Sequence, residues 1–431
     1  MYRVIVIGGG WAGCAAALAA RKAGAQVVLL EKTDLLLGLG NVGGIMRNNG
    51  RFTATEENIA LGASELFAIT DKNSRHKNIN FPGHRHASIY DVTKVEPEVR
   101  RLLKEQGIEI KFMTRVIDVE SSSAGNDETI INRLLLADGE MIEGDVFVET
   151  TGSTGPMGNC LTYGNGCCMC ILRCPAFGPR VSISAKAGSS DVMGKRHDGV
   201  FGAFSGSCKL DKRSLSTILQ KKLDNEGVVV IPLPQSAIMR EKLDMKVCKQ
   251  YALAEYAENI ILLDTGHAKL MSPFFDLEKL REIPGFENAR YVDPYAGSKG
   301  NSIRYLSVAQ RDNTMKVKGI CNLFCGGEKS GLFVGHTEAI TTGSLAGHNA
   351  AKYLKGMKSL QLPVGLAVGD IIKYANDSMK TEEGLTRRCT FAGAEYYKRM
   401  IEKRLYTIDV RKISKIVSKY ELNNVYNDKF V

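Results

Sequence analysis

Five cysteines lie close together in the middle of the chain, in the stretch CLTYGNGCCMCILRCP. They are Cys160, Cys167, Cys168, Cys170 and Cys174, out of eleven cysteines in the sequence. Thiols at such short spacing can bind a metal, exchange electrons as a dithiol, attack a substrate carbon or fill a core. Residue type alone does not distinguish these functions. The strands and helices predicted from the rest of the sequence determine where the cysteines would lie.

An iron–sulfur cluster is one interpretation of these residues. Cys167, Cys170 and Cys174 have the spacing C-x2-C-x3-C-P, which is the latter part of the bacterial ferredoxin pattern. The first cysteine of that pattern is missing, so Cys160 or Cys208 would have to supply the fourth ligand. The metal ligands would then be Cys160, Cys167, Cys170 and Cys174.

Thiol chemistry is an equally strong interpretation. Cys167 and Cys170 have the C-x-x-C spacing at which one thiolate attacks and the other resolves. On this interpretation Cys167, Cys170 and Cys174 are the catalytic residues. Zinc is a third alternative, but tetrahedral sulfur sites usually come as two separated C-x-x-C pairs, and the sequence has one. Isolated cysteines, Cys248 among them, are predicted to be small core residues without chemistry.

The first thirty residues predict the element that would position a cofactor. RVIVIGGG is a short apolar run suited to a buried parallel strand, and an Ala-rich helix follows it as far as Gly24. AQVVLLEK then predicts a second strand, with Glu31 at its end. Gly8, Gly10 and Gly13 have the G-x-G-x-x-G spacing of a dinucleotide-binding βαβ unit.

Each glycine of this loop has a physical purpose. Gly8 permits the tight turn, Gly10 lets the backbone approach a pyrophosphate, and Gly13 lets helix and strand pack closely. The pyrophosphate would lie at the helix N-terminus, where free N–H groups and the helix dipole favour an anion. Glu31 is placed to accept hydrogen bonds from a ribose, which favours NAD or FAD over NADP. The predicted residues of this half of the site are Gly8, Gly9, Gly10, Trp11, Ala12, Gly13, Glu31 and Lys32.

Two later segments favour FAD over NAD. DVFVETTG is an apolar strand that runs into Thr151 and Gly152. It resembles the strand that passes close to FAD in flavoproteins with two dinucleotide-binding domains, and this resemblance implies FAD. Two strand-like segments precede it, with turns predicted at 121–128 and 137–139. NLFCGGEKSGLFVGHTEAI predicts a strand and then a helix that begins at about His336. No second G-x-G-x-x-G follows a strand, so a dedicated NAD(P)H domain is not expected. The predicted residues of the flavin side are Val116, Thr151, Gly152, Gly326, Gly327, Glu328 and Gly335.

Four segments resemble a known group of flavoproteins. GGGWAGCAAALAA resembles the opening of the GidA/MnmG proteins. LREIPGFENARYVDPYAG and the segment 322–354 resemble blocks of that group and of its relative TrmFO. LPVGLAVGDIIKYAND is similar to a block near the TrmFO C-terminus. The resemblance covers about half of the chain, and the cysteine-rich middle departs from both patterns.

The βαβ unit and this resemblance together imply an α/β fold: a Rossmann-like parallel-sheet FAD-binding domain with an inserted α+β substrate lobe. We expect the FAD-binding domain at 1–155 and 315–365, the substrate and cysteine-rich lobe at 156–314, and a C-terminal helical tail at 366–431. The resemblance further implies FAD as cofactor. The relatives modify uridines in RNA: GidA/MnmG works with a partner protein on the tRNA wobble uridine, and TrmFO uses a folate to methylate tRNA.

The predicted function is an FAD-dependent oxidoreductase whose flavin works with the cysteine cluster, either as thiols or as an iron–sulfur cluster. Two alternatives stay open. One is a flavin-dependent enzyme that modifies uridine in RNA, and the other is a flavin and iron–sulfur electron-transfer subunit. The expected partner is a small molecule or a redox protein, and RNA is the alternative. The sequence is also compatible with a homo-oligomer.

Composition predicts a cytoplasmic protein. The 431 residues are 44% hydrophobic and 24% charged, as in ordinary globular proteins. No apolar run approaches the ~20 residues that a membrane helix needs, and the first strand leaves no room for a signal peptide. An odd number of unevenly spaced cysteines indicates a reducing compartment. The formal charge of +10 suits an anionic cofactor or, alternatively, RNA.

Overall fold

The computed structural model of the chain describes residues 2–153, 177–204, 207–272, 275–292, 303–304 and 306–431. All five clustered cysteines lie outside the described residues, including Cys160, Cys167, Cys170 and Cys174, which carry the predicted roles. Their assignment as thiols or as metal ligands therefore stays a prediction.

The strands of the described residues follow in chain order. They are β1 (Arg3–Ile7), β2 (Gln26–Leu30), β3 (Ile45–Met46), β4 (Ser74–Phe81), β5 (His84–Tyr90), β6 (Glu109–Lys111), β7 (Val116–Gly125), β8 (Glu128–Leu136), β9 (Met141–Glu143), β10 (Val146–Glu149), β11 (Val192–Met193), β12 (Ala203–Phe204), β13 (Cys208–Leu210), β14 (Val228–Pro232), β15 (Asn259–Asp264), β16 (Ala268–Leu270), β17 (Ile303–Arg304), β18 (Ser307–Val308) and β19 (Leu323–Cys325).

The α-helices of the same residues are α1 (Trp11–Lys22), α2 (Gly40–Gly43), α3 (Gly50–Ala60), α4 (Glu65–Lys72), α5 (Val95–Glu105), α6 (Ile183–Lys186), α7 (Thr217–Glu226), α8 (Ala254–Glu258), α9 (Leu277–Arg281), α10 (His336–Leu354), α11 (Ala367–Ser378), α12 (Ala394–Glu402) and α13 (Val410–Lys419). Short 3-10 turns include Lys249–Tyr251 and Gly327–Ser330.

A five-stranded parallel sheet is the centre of the fold. Its order is β19-β10-β1-β2-β6, and β1 lies between β10 and β2, with Val4 opposite both Val146 and Val27. Strands β19, β10, β1 and β2 are largely buried, which is why they read as apolar runs in the sequence, whereas the edge strand β6 is partly exposed. The predicted fold class, α/β with a Rossmann-like parallel sheet, is confirmed.

Two helices pack closely against each other on one face of this sheet. Helix α1 follows β1 and helix α10 follows β19, so both begin at the carboxyl edge of the sheet. A Cβ atom at Gly343 or Gly347 of α10 would lie 2.2 or 2.1 Å from the carbonyl oxygens of Ala12 and Ala16 in α1. The Ala-rich composition of α1 therefore serves close helix packing, which brings the two helix N-termini to the same place.

The meander β7-β8-β9 differs in one respect from the sequence prediction. Residues 121–128 were expected to form a turn, but β7 runs as far as Gly125 and β8 starts at Glu128. Only Asn126 and Asp127 connect them, with φ angles of 51° and 59°. Two successive residues with positive φ make the tight hairpin connection that Asn and Asp tolerate, so the serines before it stay in the strand. The turn predicted at 137–139 does connect β8 to β9.

A second sheet lies in the segment between β10 and β19. It is antiparallel, with the order β13-β16-β15-β14, and its own core contains Leu210, Leu262 and Leu270. This sheet belongs to the region predicted to be the substrate lobe. The boundaries of that lobe, of the FAD-binding domain and of the C-terminal tail stay predictions.

The last third of the chain is helical and packs into the main core. Ile371 of α11, Tyr396 of α12 and Val417 of α13 join the same hydrophobic cluster as the residues of α1. Beyond α13, the backbone N–H groups of Phe430 and Val431 donate to the Ala23 carbonyl oxygen at the end of α1. Among the helices of the described segments, none combines the length and the apolar character needed to cross a membrane.

Candidate functional site

A large cavity lies at the carboxyl edge of the parallel sheet. Its volume is about 1490 Å³, including the part open to solvent. The ends of β1, β2 and β10 and the turn after β19 all contribute to its lining. Ligands of open α/β sheets bind outside the carboxyl ends of the strands, so this cavity is the candidate site.

The glycine loop after β1 has the geometry that a dinucleotide requires. Gly8 has a φ of 104°, which permits the turn from strand to helix. A Cβ at Gly13 would lie 1.8 Å from the Gly8 carbonyl oxygen, so only glycine lets α1 start this close to β1. In front of Gly10 no atom lies within 4 Å of a Cβ position, which leaves open space where a pyrophosphate could reach the backbone.

Most of the predicted cofactor residues meet in this cavity. Those that line it are Gly8, Gly10, Trp11, Ala12, Glu31, Lys32, Val116, Thr151, Gly152, Gly327, Glu328 and Gly335. Gly9, Gly13 and Gly326 lie behind the lining. Gly9 donates its N–H to a Glu31 carboxylate oxygen (2.7 Å), and Gly326 donates its N–H to the Glu149 carbonyl oxygen (3.0 Å).

Glu31 supports the glycine loop as well as lining the cavity. Its Oε2 accepts from the Gly9 N–H, and its Oε1 accepts from the Thr33 N–H at 2.9 Å and the Thr33 hydroxyl at 3.0 Å. A carboxylate oxygen has two lone pairs, so the Oε2 atom keeps the capacity for a further bond. Glu31 thus fits a ribose hydroxyl, and its contact with one stays a prediction.

The end of β10 is tied directly to the glycine loop. The Thr150 hydroxyl lies 2.7 Å from the Gly8 carbonyl oxygen and 3.0 Å from the Ile7 carbonyl oxygen. Further along, the Ser153 hydroxyl donates to the carboxylate of Glu328 at 2.8 Å. These bonds fix the segment that leads into Thr151 and Gly152 relative to the turn that carries Gly327 and Glu328.

A buried charged cluster lies behind this side of the cavity. Lys329 donates to an Asp191 carboxylate oxygen at 2.6 Å and lies 3.6 Å from the buried carboxylate of Glu149. Glu149 in turn accepts from the backbone N–H groups of Ile183 (2.8 Å) and Ser184 (2.9 Å). The cluster therefore connects β10, helix α6 and the turn after β19, and positions Ile183, which lines the cavity.

The N-terminus of α10 forms another part of the lining. Gly335 precedes this helix with a φ of 142°, and a Cβ there would lie 2.0 Å from the guanidinium of Arg51. Arg51 also lines the cavity and pairs with the buried carboxylate of Glu338 at 3.1 Å. His336, the first residue of α10, lies 3.2 Å from the Tyr90 hydroxyl. An anion or a polarised carbonyl in the cavity would face the positive end of this helix.

The antiparallel sheet and the segment before it supply the opposite wall. We call Ser207, Cys248, Gln250, Tyr251, Lys269 and Met271 the lobe-side wall, because all six line the cavity. Lys269 bridges to the main domain by donating to the Val42 and Gly43 carbonyl oxygens, the latter at 2.6 Å. The cavity thus has the glycine loop on one side and a chamber walled by the lobe on the other.

Cys248 packs against the core, as its isolation in the sequence suggested, and it also reaches the cavity. It is half-buried and lines the chamber. Behind it lies Lys246, fully buried, whose ammonium donates to the Met271 carbonyl oxygen at 3.2 Å and the Ser207 hydroxyl at 3.4 Å. Burial lowers the pKa of Lys246 to about 8, although the nearby thiols of Cys248 and Cys208 act in the opposite direction.

Metal ligation has no support from the part of the chain that the structure describes. Within those residues, no group of three or more His, Cys, Asp or Glu side chains could hold a metal ion. Cys208, the alternative fourth ligand, is buried in β13 and packs in the core of the antiparallel sheet. The clustered cysteines lie outside the described residues, so the cluster itself stays a prediction.

The sequence did not predict the residues that line the chamber, in particular Arg51, Gln250 and Lys269. They belong to no motif and come from three distant parts of the chain. For Lys269 a signal did exist, because a lysine within an apolar strand must find acceptors when it is buried. Arg51 and Gln250 offered no comparable signal.

Comparison with known proteins gives a family match over most of the chain. The model of the family described as glucose inhibited division protein A matches residues 3–269 and 266–358. A TrmFO protein of Caldicellulosiruptor bescii, named as a methylenetetrahydrofolate–tRNA-(uracil-5-)-methyltransferase, is 32% identical over 100 residues, which is 23% of this chain and 22% of that protein. MnmG of Nitratiruptor, named as a tRNA uridine 5-carboxymethylaminomethyl modification enzyme, is 31% identical over 114 residues, 25% of this chain and 17% of that protein.

The fold is shared with a solved structure over nearly the whole chain. GidA of Aquifex aeolicus superposes with a TM-score of 0.61 at 18% identity, covering 97% of this chain and 76% of that one. The sequence matches to the curated relatives span only about a fifth of their length. The family model, in contrast, matches well over half of the chain and includes both the glycine loop and the lobe-side wall. This chain therefore belongs to the glucose inhibited division protein A family, as an FAD flavoprotein of the GidA/MnmG–TrmFO kind.

Proposed function

We propose that this chain is a flavin-dependent enzyme that modifies uridine in RNA. The observation that supports this most directly is the family match across residues 3–358, which includes both sides of the cavity. Two different relatives, TrmFO and MnmG, carry names that place their chemistry at position 5 of uridine in tRNA. The proposal favours the RNA-modifying alternative over the oxidoreductase with a cysteine cluster as its second redox element.

In this proposal the two sides of the cavity bind different ligands. Bound FAD would supply the redox chemistry, with its pyrophosphate at the loop of Gly8, Gly10 and Gly13 and its ring towards Thr151 and Gly152. The chamber between the start of α10 and the lobe-side wall would hold the uracil ring. Closing the ring between two walls excludes water from the reacting atoms and fixes their approach.

A basic surface on helix α13 supports RNA as the partner. Helix α13 exposes four basic side chains that form no ion pair with another described residue: Arg411, Lys412, Lys415 and Lys419. Just before this helix, the Thr407 carbonyl oxygen accepts from the Thr53 hydroxyl at 2.7 Å, only two residues from Arg51 in the cavity lining. Phosphate contacts from such a surface would hold an RNA strand beside the site. A cytoplasmic location is part of the proposal, because its substrate would be tRNA.

Nucleoside analysis tests this function. Unmodified tRNA transcripts are incubated with the FAD-loaded protein, a reductant and methylenetetrahydrofolate, then digested and analysed by mass spectrometry. We expect a nucleoside heavier than uridine that is absent when the protein carries Gly10→Val, which fills the space in front of the loop. A protein that holds FAD and yet leaves every uridine unchanged, with and without a folate and with and without a cell extract that could supply a partner protein, would contradict the proposal.

A flavin–thiol oxidoreductase is the second candidate, because Cys248 lines the chamber. The predicted thiols Cys167, Cys170 and Cys174 would extend the same chemistry. This candidate predicts that the protein oxidises or reduces a small dithiol at a rate that depends on FAD and is lost in Cys248→Ser. The RNA proposal predicts no such turnover in the absence of RNA.

A further inference from the structure

Three basic residues line the cavity next to the glycine loop. They are Lys32, Arg115 and Arg180, and each is partly exposed. Each phosphate of FAD carries a negative charge, whereas the N-terminus of α1 supplies only about half a positive charge. The basic side chains of α1 lie in its last turn, far from the loop. Further positive charge at the loop has to come from other elements of the lining.

Lys32 and Arg115 lie on the Glu31 side of the loop. Lys32 directly follows Glu31, and the Thr114 N–H, next to Arg115, donates to the Glu31 carbonyl oxygen at 2.9 Å. The Lys32 ammonium donates to the Gly178 carbonyl oxygen at 2.7 Å. A Cβ at Gly178 would lie 2.4 Å from the Arg115 Nε, so both cations contact the same short segment.

Arg180 belongs to that segment and lies on the other side of the loop. A Cβ at Gly152 would lie 2.5 Å from the Arg180 Nη1 and 3.0 Å from its Cζ, so the guanidinium rests against the Gly152 backbone. Gly152 comes two residues after Thr150, whose hydroxyl donates to the Gly8 carbonyl oxygen at 2.7 Å. The Arg180 guanidinium therefore approaches the loop from the end of β10.

Both arginines lie against glycines in the left-handed region. Gly152 has a φ of 74° and Gly178 a φ of 75°, so a side chain at either position would be strained and would also collide with a guanidinium. The two glycines thus leave room for the guanidinium groups beside the backbone. This arrangement holds both arginines in the cavity lining.

We propose that Arg115 and Arg180, together with Lys32, bind the diphosphate oxygens of FAD that the glycine loop leaves free. The diphosphate joins the ribose, predicted at Glu31, to the flavin, predicted near Gly152, so it would lie between the two groups of cations. Guanidinium groups bind phosphate through paired, charge-assisted hydrogen bonds. This inference rests on FAD as the cofactor and not on RNA as the substrate.

Comparison of FAD with riboflavin tests the inference, because riboflavin has the same ring system and no phosphate. Apoprotein is titrated with each ligand at several salt concentrations. Arg115→Met and Arg180→Met remove a charge and keep most of the side-chain length, whereas Arg180→Lys keeps the charge. Arg101→Met is the matched control, because the Arg101 side chain is 62% exposed and lies outside the cavity. Urea unfolding of each apoprotein verifies that the variants are folded.

Each cavity variant to Met should weaken FAD binding by about tenfold or more and riboflavin binding by less than about twofold. The dependence of FAD affinity on salt should also become shallower, because salt screens the charges concerned. Arg180→Lys should keep the salt dependence of the wild type, and Arg101→Met should change neither quantity. The salt dependence decides the question even where riboflavin binds too weakly to be measured.

Equal weakening of FAD and riboflavin by the Met variants, or FAD binding with unchanged affinity and salt dependence, would overturn the inference. The proposed function fails separately. A protein that shows the expected loss of FAD affinity in these variants but leaves uridine unmodified would refute the proposed function and leave this inference standing.

Discussion

The buried pair of Arg51 and Glu338 provides a quantitative test of how the cavity is built. Their side chains are 4% and 0% exposed, with the Arg51 Nε 3.1 Å from a Glu338 carboxylate oxygen. Arg51 also donates to the Val334 carbonyl oxygen at 3.0 Å, which fixes the segment that leads to Gly335. We predict that Arg51→Met destabilises the protein and weakens FAD binding together.

The size of the effect follows from what Arg51→Met leaves behind. Glu338 would stay buried with the Thr390 hydroxyl and the Phe391 N–H as its remaining donors, each at 2.8 Å. Removing one partner of a buried ion pair costs about 3–5 kcal/mol. Because two donors remain, we expect the lower end, about 3 kcal/mol. Glu338→Gln in the same protein should recover part of this loss, with a coupling of about 1–3 kcal/mol in the double-variant cycle.

Urea unfolding of the apoprotein measures this directly. Trp11 is the chain's single tryptophan and lies buried in the cavity lining, so its fluorescence reports on the region concerned. Arg133→Met is the control, because Arg133 and Glu120 form a pair at 2.6 Å with side chains 44% and 51% exposed. Such pairs contribute about 0–1 kcal/mol. A loss below about 1 kcal/mol in Arg51→Met, or strict additivity with Glu338→Gln, would refute the reasoning.

Three further predictions concern the loop, the buried histidine and the basic helix. Gly13→Ala should destabilise the apoprotein, because its Cβ would meet the Gly8 carbonyl oxygen, whereas Gly10→Ala should weaken only FAD binding. Urea unfolding measures the stability of the apoprotein, and flavin titration measures FAD binding. Equal destabilisation of the apoprotein by both variants would contradict the assigned roles. The pKa of His84 is lowered from 6.5 to about 3 by burial, so the unfolded chain binds a proton that the folded chain does not, and stability should fall as the pH drops from about 6.5 towards 3. His84→Gln should flatten that part of the urea-midpoint profile, and an unchanged slope would contradict burial as the cause. Four substitutions on α13 to Gln, at Arg411, Lys412, Lys415 and Lys419, should weaken tRNA binding. They should also reduce the slope of log binding constant against log salt concentration by up to about 3. The same change at Lys104, Lys221, Lys222 and Lys279 on other helices should alter neither quantity.

The sequence predicted best those elements that are formed by one continuous stretch of residues. The βαβ unit, the strand before Thr151 and the helix that begins at His336 each occupy one continuous stretch, so spacing and hydrophobicity predicted them. The predicted turn at 121–128 was wrong because polar serines were taken as a loop, although the two-residue connection at Asn126 and Asp127 lets them stay in an exposed hairpin.

The chamber was hidden from the sequence for a different reason. Its wall combines Cys248 and Gln250 from one turn of the lobe, Ser207 and Lys269 from two other parts of it, and Arg51 from α3. No motif connects such residues, because only the packing of the antiparallel sheet against the main domain brings them together. Cys248 shows the consequence: its isolation in the sequence suggested a core residue, and the fold places it both against the core and in the cavity wall.

The candidate site and the proposed function both depend on FAD in the cavity at the sheet edge. The most direct test is the visible spectrum of anaerobically purified protein, with identification of the flavin released on denaturation and metal analysis of the same sample. We predict flavin bands, stoichiometric FAD and loss of both in Gly10→Val. A protein that carries no flavin and does not take up added FAD would contradict both.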